Sequence, residues 1–405
     1  MRAAPLYFVV SAALLLTGCD SEPESFPPNR VHALVVEASR RVPTNVAADE
    51  STRLVDSWFG TPLEPRWPVE HLEGSAAKDL VDLQNLKRAS GRVFSDQDDR
   101  HFGLYREHCV TCHGISGGGD GPASLLQNPY PRDFRAGVFK WKSTVRGSKP
   151  TRADLRALLE HGAPGSAMPS FQAIDDEDID ALVDYVIFLS VRGEFERRIV
   201  YEAVDNLDYD DTEPEAELSF ATAVSFTEIR SESDGNEAYW VARDALNRIT
   251  DGWAEAEDKV VEVPAEPPRT DEGLRIGKEI FHGQIANCAG CHGKGGEGGM
   301  RIVDFDDWTK EFTTRLSITP SDPEAVKPFR AAGALRPREI HPRRLIGGVY
   351  RGGGEGETLY RRLTQGIAGS PMPGLILTDE ATPTSLSPDQ LWNLVHYVQS
   401  LPEGG

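Results

Sequence analysis

The sequence predicts a mainly α protein: two related units of short helices joined by long loops, with a helical or irregular N-terminal and middle segment. Three observations carry that expectation. A chain of 405 residues is too long for one core and suits two or three domains. Its 28 prolines and 38 glycines favour short helices separated by long loops. A cysteine-pair-plus-histidine run occurs twice, inside a longer duplication whose copies each end in an amphipathic helical pattern.

The chain opens on a leader. Arg2 gives it a positive start, and Leu6 to Leu16 form an apolar core too short to span a bilayer. Leu16-Thr17-Gly18-Cys19 follows and is similar to a bacterial lipobox, where cleavage leaves Cys19 as a lipidated N-terminus. The alternative is an ordinary signal peptide with an incidental cysteine. Residues 1–18 are therefore expected to be a lipoprotein signal peptide, and the mature chain to be anchored to a membrane by lipid rather than spanning it. In segment 19–91, residues 20–30 read as a tether. Helices are expected around Val31 to Arg40 and Ala76 to Lys87.

The first unit, 92–192, contains Cys109-Val110-Thr111-Cys112-His113, the C-x-x-C-H spacing of covalent haem c attachment. Two thiols at this spacing can add across the two vinyl groups of one haem. The histidine that follows is carried under the ring, where an imidazole nitrogen can bind iron. A zinc site would want four ligands, and no other cysteine lies near the pair in sequence. A thioredoxin-like dithiol belongs after a strand in a βαβ unit, not before a Gly-rich loop. The second unit, 270–405, repeats the run as Cys288-Ala289-Gly290-Cys291-His292, so two haems c are expected. With Cys19 lipidated, the chain's 5 cysteines are all used and none is left for a disulfide.

The duplication extends well beyond the cysteines. Gly-rich loops follow both histidines. Tyr130-Pro131-Arg132 through Lys140 matches His341-Pro342-Arg343 through Arg351, and Gly162 to Pro169 matches Gly366 to Pro373. The first copy closes with Ile179, Leu182, Val183, Val186 and Leu189 on one helical face, with Asp175 or Asp176 able to cap. The second closes with the capping box Ser387-Pro388-Asp389-Gln390 before Leu391, Leu394, Val395, Val398 and Leu401. The second copy carries an insertion of about thirty residues, roughly Ile302 to Glu339. Between the units, 193–269 is an acidic helical connector with a pattern around Glu237 to Ile249. Tyr239, Trp240 and Trp253 suggest that it packs on something. A stiff Pro-rich linker follows from Val260 to Arg269.

Each unit resembles a class I cytochrome c domain: an N-terminal helix, C-x-x-C-H, a loop, a Met-Pro turn and a C-terminal helix. Together they resemble a di-haem cytochrome c of the kind that serves membrane respiratory complexes. The resemblance implies an opening helix from near Ser95 to Cys109 in the first unit and over Asp271 to Phe281 in the second. It implies His113 and His292 as proximal iron ligands. Met168 and Met372, in the matched Met-Pro turns of a chain with 4 methionines, are the distal candidates. Met300, eight residues beyond His292, falls on the proximal side and is expected to pack, and His341 is a remote third option. Gly121-Pro122 is similar to the family's turn whose carbonyl accepts from the proximal imidazole. Arg132 and Arg343 can pair with haem propionates or stand as solvated loop residues. Trp141 and Trp392 are expected to pack near haem or core, and His161, His282, His341 and His396 to be surface or helix histidines.

A formal charge of −21 excludes nucleic acid as a plausible partner. It suits either simple solubility or a basic docking face on a redox partner. Export fits haems that are attached outside the cytoplasm. His/Met ligation fills both irons, which favours a membrane-anchored carrier facing the periplasm and relaying single electrons between respiratory partners. The rival class is a di-haem enzyme resembling bacterial cytochrome c peroxidases, which needs one iron with an open distal site.

Overall fold

The computed structural model describes residues 25–224, 236–299 and 304–401; the leader, Cys19 and Met300 lie outside them. Four helices come first: α1 (Arg30–Arg40), α2 (Asn45–Phe59), α3 (Ser75–Lys78) and α4 (Leu83–Ala89). Asn29 caps α1 by accepting from the His32 amide. The single helix expected over 76–87 is broken in two. The Asp82 side chain accepts from the amides of Gln84 and Asn85, starting a new helix rather than continuing the old one. Nor are the described residues of the tether free. Phe26 is fully buried beside Phe188, with the Arg192 guanidinium 4.2 Å from its ring centroid. Burying one phenylalanine is worth about 1.5–3 kcal/mol, enough to hold a short polar segment down.

The opening helix of the first unit is shorter than expected. β1 (Phe94–Ser95) and β2 (His101–Phe102) form a small antiparallel hairpin that pairs Phe94 with Phe102. Asp96 builds its turn by accepting from the amides of Asp98 and Arg100. This local side-chain bonding outcompetes helix over 95–103. α5 (Leu104–His108) starts only after Gly103, whose φ of 78° suits glycine. Next come α6 (Val110–His113), α7 (Arg152–His161) and the 31-residue α8 (Asp176–Asn206). The helix expected to close the unit near Arg192 thus runs on to Asn206. Phe195, Ile199 and Ala203 continue its apolar rhythm and are fully buried. Gly193 interrupts nothing: a Cβ there would meet the Arg135 Cα at 2.5 Å, so glycine admits the loop that crosses α8.

α9 (Phe220–Ala223) and α10 (Glu237–Ala254) lead to the second unit. α2, α8 and α10 share one hydrophobic core with Tyr105, Cys109 and Leu159, so the N-terminal segment and the connector are built into the first unit. Tyr239 and Trp253 are buried there, as their sequence pattern suggests. The second unit has its own core. It comprises α11 (Asp271–His282), α12 (Cys288–His292), α15 (Gly356–Gln365) and α16 (Pro388–Ser400), with an inserted flap between α12 and α15. The flap consists of β3 (Asp304–Phe305), α13 (Asp307–Phe312), α14 (Pro323–Ala331) and β4 (Glu339–Ile340). α11 crosses α16 closely: a Cβ on Gly277 would lie 2.1 Å from the Asn393 carbonyl oxygen. Ser387 and Gln390 make both bonds of the expected capping box on α16.

The flap packs on α1, where Phe312, Val326 and Phe329 meet Val31 and Val35. The linker is fastened at both ends. The Val145 and Val261 amides bond the carbonyls of Lys259 and Ser143 at 2.9 and 3.0 Å, and Glu266 meets His396 at 3.0 Å. That bond explains why His396, expected to be an ordinary helix histidine, is buried.

A shared cavity lined by both cysteine-histidine runs

Cys109, Cys112 and His113 stand at i, i+3 and i+4, so one turn of helix brings them to one face. The His113 amide closes that turn onto the Cys109 carbonyl at 2.8 Å. Cys288, Cys291 and His292 do the same on α12. Each Gly-rich loop then folds back onto its histidine. The Gly119 amide donates to the His113 carbonyl at 2.8 Å, and the Gly298 amide to the His292 carbonyl at 2.7 Å. Phe134 and Leu345 bond the Gly117 and Gly296 carbonyls at 2.8 and 2.7 Å, which returns the matched Pro-Arg segments beneath the imidazoles.

This return sets the histidine tautomer. His113 Nδ1 lies 3.1 Å from the Arg132 carbonyl oxygen and His292 Nδ1 lies 2.8 Å from that of Arg343. A carbonyl only accepts, so Nδ1 carries the proton and Nε2 keeps a free lone pair. Burial pushes the His113 imidazole down to about 4 and lowers that of His292 as well. Both rings are therefore neutral at ordinary pH, the form that ligates metals. The expected acceptor, the Gly121-Pro122 turn, does not serve: the Gly121 amide bonds the Cys112 carbonyl at 3.1 Å, and Pro122 is exposed. Sequence pairing of Arg132 with Arg343 marked the right residues, but for their side chains rather than their carbonyls.

The methionine turns match bond for bond. α7 and α15 end at Gly162 and Gly366, both with φ of 67° and ψ of −164°. Ala163 and Ile367 then donate to the carbonyls of Met168 and Met372, each at 3.2 Å. The Ser166 and Ser370 hydroxyls accept from the two methionine amides at 3.2 and 3.3 Å. Gly165 and Gly369, each at φ 70°, supply the left-handed corner.

All eight of these cysteine, histidine and methionine side chains line one continuous cavity of about 380 Å³ between the two units. That volume lies in the range of cofactor pockets. Its walls are mainly apolar, with Leu155, Leu158, Phe171, Val186, Leu363 and Leu375 among them. Burial pushes the Cys109 and Cys288 thiols up to about 12 and about 11, which argues against a reactive dithiol. Among the described residues no group of three or more His, Cys, Asp or Glu side chains could hold a metal ion, so a zinc site lacks its further ligands.

Cations also reach this cavity. Lys140, Arg343 and Arg351 line it. Burial lowers Lys140 to about 8, and burial with the neighbouring Arg343 charge lowers Arg351 to about 10. Arg343 and Arg351 both donate to the Gly165 carbonyl, at 3.1 and 3.0 Å, so the second unit grips the methionine turn of the first. Arg132 also lines the cavity, but its guanidinium pairs with Asp307 at 2.8 Å. Burial opposes the Asp307 charge, yet Arg132 and Lys140 hold its carboxyl below the ordinary value. Trp141 lines the cavity under the Arg362 guanidinium, whereas Trp392 sits in the second core. His341 also lines the cavity, while His161 and His282 are exposed helix-end residues. Lys140 and Asp307 are contributors that sequence reading missed. The repeat pairs Lys140 with Arg351, which was a usable signal; nothing in the sequence singles out Asp307.

Comparison with known proteins agrees with this geometry. Residues 96–186 match the family model described as cytochrome c oxidase, cbb3-type, subunit III, and residues 274–402 match that of cytochrome c. No curated protein matches the chain. Among solved structures, the chain is similar to one from the reducing HAO-like protein complex of Kuenenia stuttgartiensis. The identity is 23%, the match covers 74% of this chain and 94% of that one, and the TM-score is 0.45. The family matches span more than half of the sequence, include both cysteine-histidine runs and imply haem c and electron transfer. The chain belongs to the cytochrome c proteins and carries two such domains in tandem.

Proposed function

We infer that the chain holds two haems c, one per domain, and relays single electrons between donor and acceptor proteins at a respiratory membrane. The observation that carries this reading is the convergence of two complete donor sets on one apolar cavity. Cys109 and Cys112 in one domain, and Cys288 and Cys291 in the other, would form the thioether links. His113 and His292 would offer their free Nε2 lone pairs to iron, and Met168 and Met372 their thioether sulfurs. Haem iron held in this way supplies a one-electron couple. Lys140, Arg343 and Arg351, which line the cavity, suit the propionate carboxylates. With His113 and Met168, and His292 and Met372, as donors, neither iron would have a position left for substrate, so this reading makes the chain a carrier rather than an enzyme.

Lipidation of Cys19 would tether this carrier to a bacterial membrane on its periplasmic side. No described helix is long and apolar enough to cross a membrane. The net charge of −21 favours partners with basic docking faces, since opposite charge speeds encounter. The test is haem content. The purified chain should retain two haems after denaturation, and a Cys109→Ala/Cys112→Ala variant should retain one. Loss of haem from the denatured wild type, or steady hydrogen peroxide turnover, would contradict the reading.

A further inference from the structure

Arg132 and Asp307 form one of the buried ion pairs that join the flap of the second domain to the first. Arg132 Nη2 donates to Asp307 Oδ2 at 2.8 Å, and the side chains are only 20% and 16% exposed. Asp306 caps α13 by accepting from the Thr309 amide, which leaves Asp307 in the first turn to face the other domain. Arg132 is also the residue whose carbonyl bonds the Nδ1 side of His113. On its far side, the Asp307 carboxylate lies flat against Gly369. A Cβ at Gly369 would stand 1.7 Å from Oδ2 and 2.3 Å from Oδ1, so only glycine admits the contact. Gly369 is the corner of the turn that presents Met372. Asp307 Oδ1 is itself buried and has no hydrogen-bond partner among the described residues. A single carboxylate thus touches the segment that orients the histidine of one domain and the turn that carries the methionine of the other.

We propose that Asp307 is a positioning residue that couples the two haem sites, fixing His113 through Arg132 while bracing the Met372 turn. The proposal rests on the His/Met ligation inferred above. Its physical content is electrostatic as well as geometric. A buried anion favours the ferric state of a nearby haem and a buried cation favours the ferrous state, and neither charge is well screened away from water. The pair belongs to both sites, so disturbing either member should be felt at both irons. An ion pair that merely glued the flap to the first domain would alter stability and leave the potentials alone.

The test is a spectroelectrochemical titration of the full haem-loaded chain, with the wild type first showing two low-spin His/Met haems. A wild type without them would sink the ligation reading itself, separately from this proposal. Asp307→Asn should raise both midpoint potentials, because a negative charge beside the His113-orienting segment and the Met372 turn is lost. Arg132→Met keeps the backbone carbonyl but strips the cation, and should lower both. The double variant should return toward wild type. A charge-balanced control on the same flap, Asp304→Asn/Lys310→Met, removes a 2.7 Å ion pair whose members do not line the cavity and should leave both potentials in place. If Asp307→Asn fails to load haem, the Arg132→Met arm decides alone. A shift confined to one haem, no shift, or an equal shift in the control would overturn the proposal.

Discussion

At the scale of the residue, the two cysteine-histidine runs were legible because their spacing is a sequence signature in itself. C-x-x-C-H has to place two thiols and an imidazole on one helical face, and it does so twice. The hydrogen-bond acceptors of the histidines were not legible in the same way. A backbone carbonyl has no sequence signature, so the Arg132 and Arg343 carbonyls emerge only once the Pro-Arg segments fold beneath the rings. Lys140 and Arg351 were half visible as a matched pair of cations, but their approach to the cavity depends on how the domains dock. A residue-level prediction separates Met372 from Met300, which lies outside the described residues. Met372→Ala should turn the second haem high-spin and lower its potential, since thioether ligation stabilises ferrous iron. Met300→Ala should leave the spectrum unchanged. Electronic absorption of the two variants decides it, and the reverse pattern would reassign the ligand.

At the scale of the element, patterns held where apolar rhythm and caps agreed. α16 has both, and begins at its capping box. α11 begins at Asp271 as the resemblance implied and runs to His282. Patterns failed where a short polar side chain captured the backbone. Asp82 split one expected helix and Asp96 turned another into a hairpin. α8 overran its expected end because its neighbours, α2 and α10, supply apolar partners that lie far off in sequence. The inserted flap could be counted from the repeat but not placed. In the structure it is held by apolar contact with α1 and by Glu311, which pairs with Arg197 and His32. Glu311→Leu should therefore cost about 3–5 kcal/mol, because it leaves the buried Arg197 charge unanswered. Denaturant unfolding measures the loss, and limited proteolysis within 304–340 should accelerate. An unchanged midpoint with unchanged cleavage would contradict this placement of the flap.

At the scale of the molecule, the sequence suggested two beads on a connector, whereas the structure is more closely integrated. The N-terminal segment and the connector complete the core of the first domain. The linker is stitched to both domains, and Arg343 and Arg351 reach across to Gly165. Two donor sets therefore open into one space instead of two remote pockets. This integration depends on contacts between residues more than a hundred positions apart, which no local pattern encodes. The leader adds a prediction at the same scale. Cys19→Ser should block lipobox processing and release the mature protein from membranes, as fractionation followed by N-terminal mass analysis would detect. Membrane association that persists with a cleaved, unlipidated N-terminus would remove the anchor from the account.

The central claim is that both irons are closed by protein ligands, so that the chain passes electrons and performs no chemistry on a substrate. The most direct measurement is to reduce the haem-loaded protein, add carbon monoxide and follow the Soret band, with the near-infrared sulfur-to-iron band of the ferric protein recorded beforehand. The account predicts a near-infrared band contributed by both haems, with the first haem's share lost in Met168→Ala, and an unshifted Soret band in the wild type. Rapid carbon monoxide binding at one haem, with high-spin iron in the untreated ferric protein, would contradict it and favour an enzyme with an open distal site.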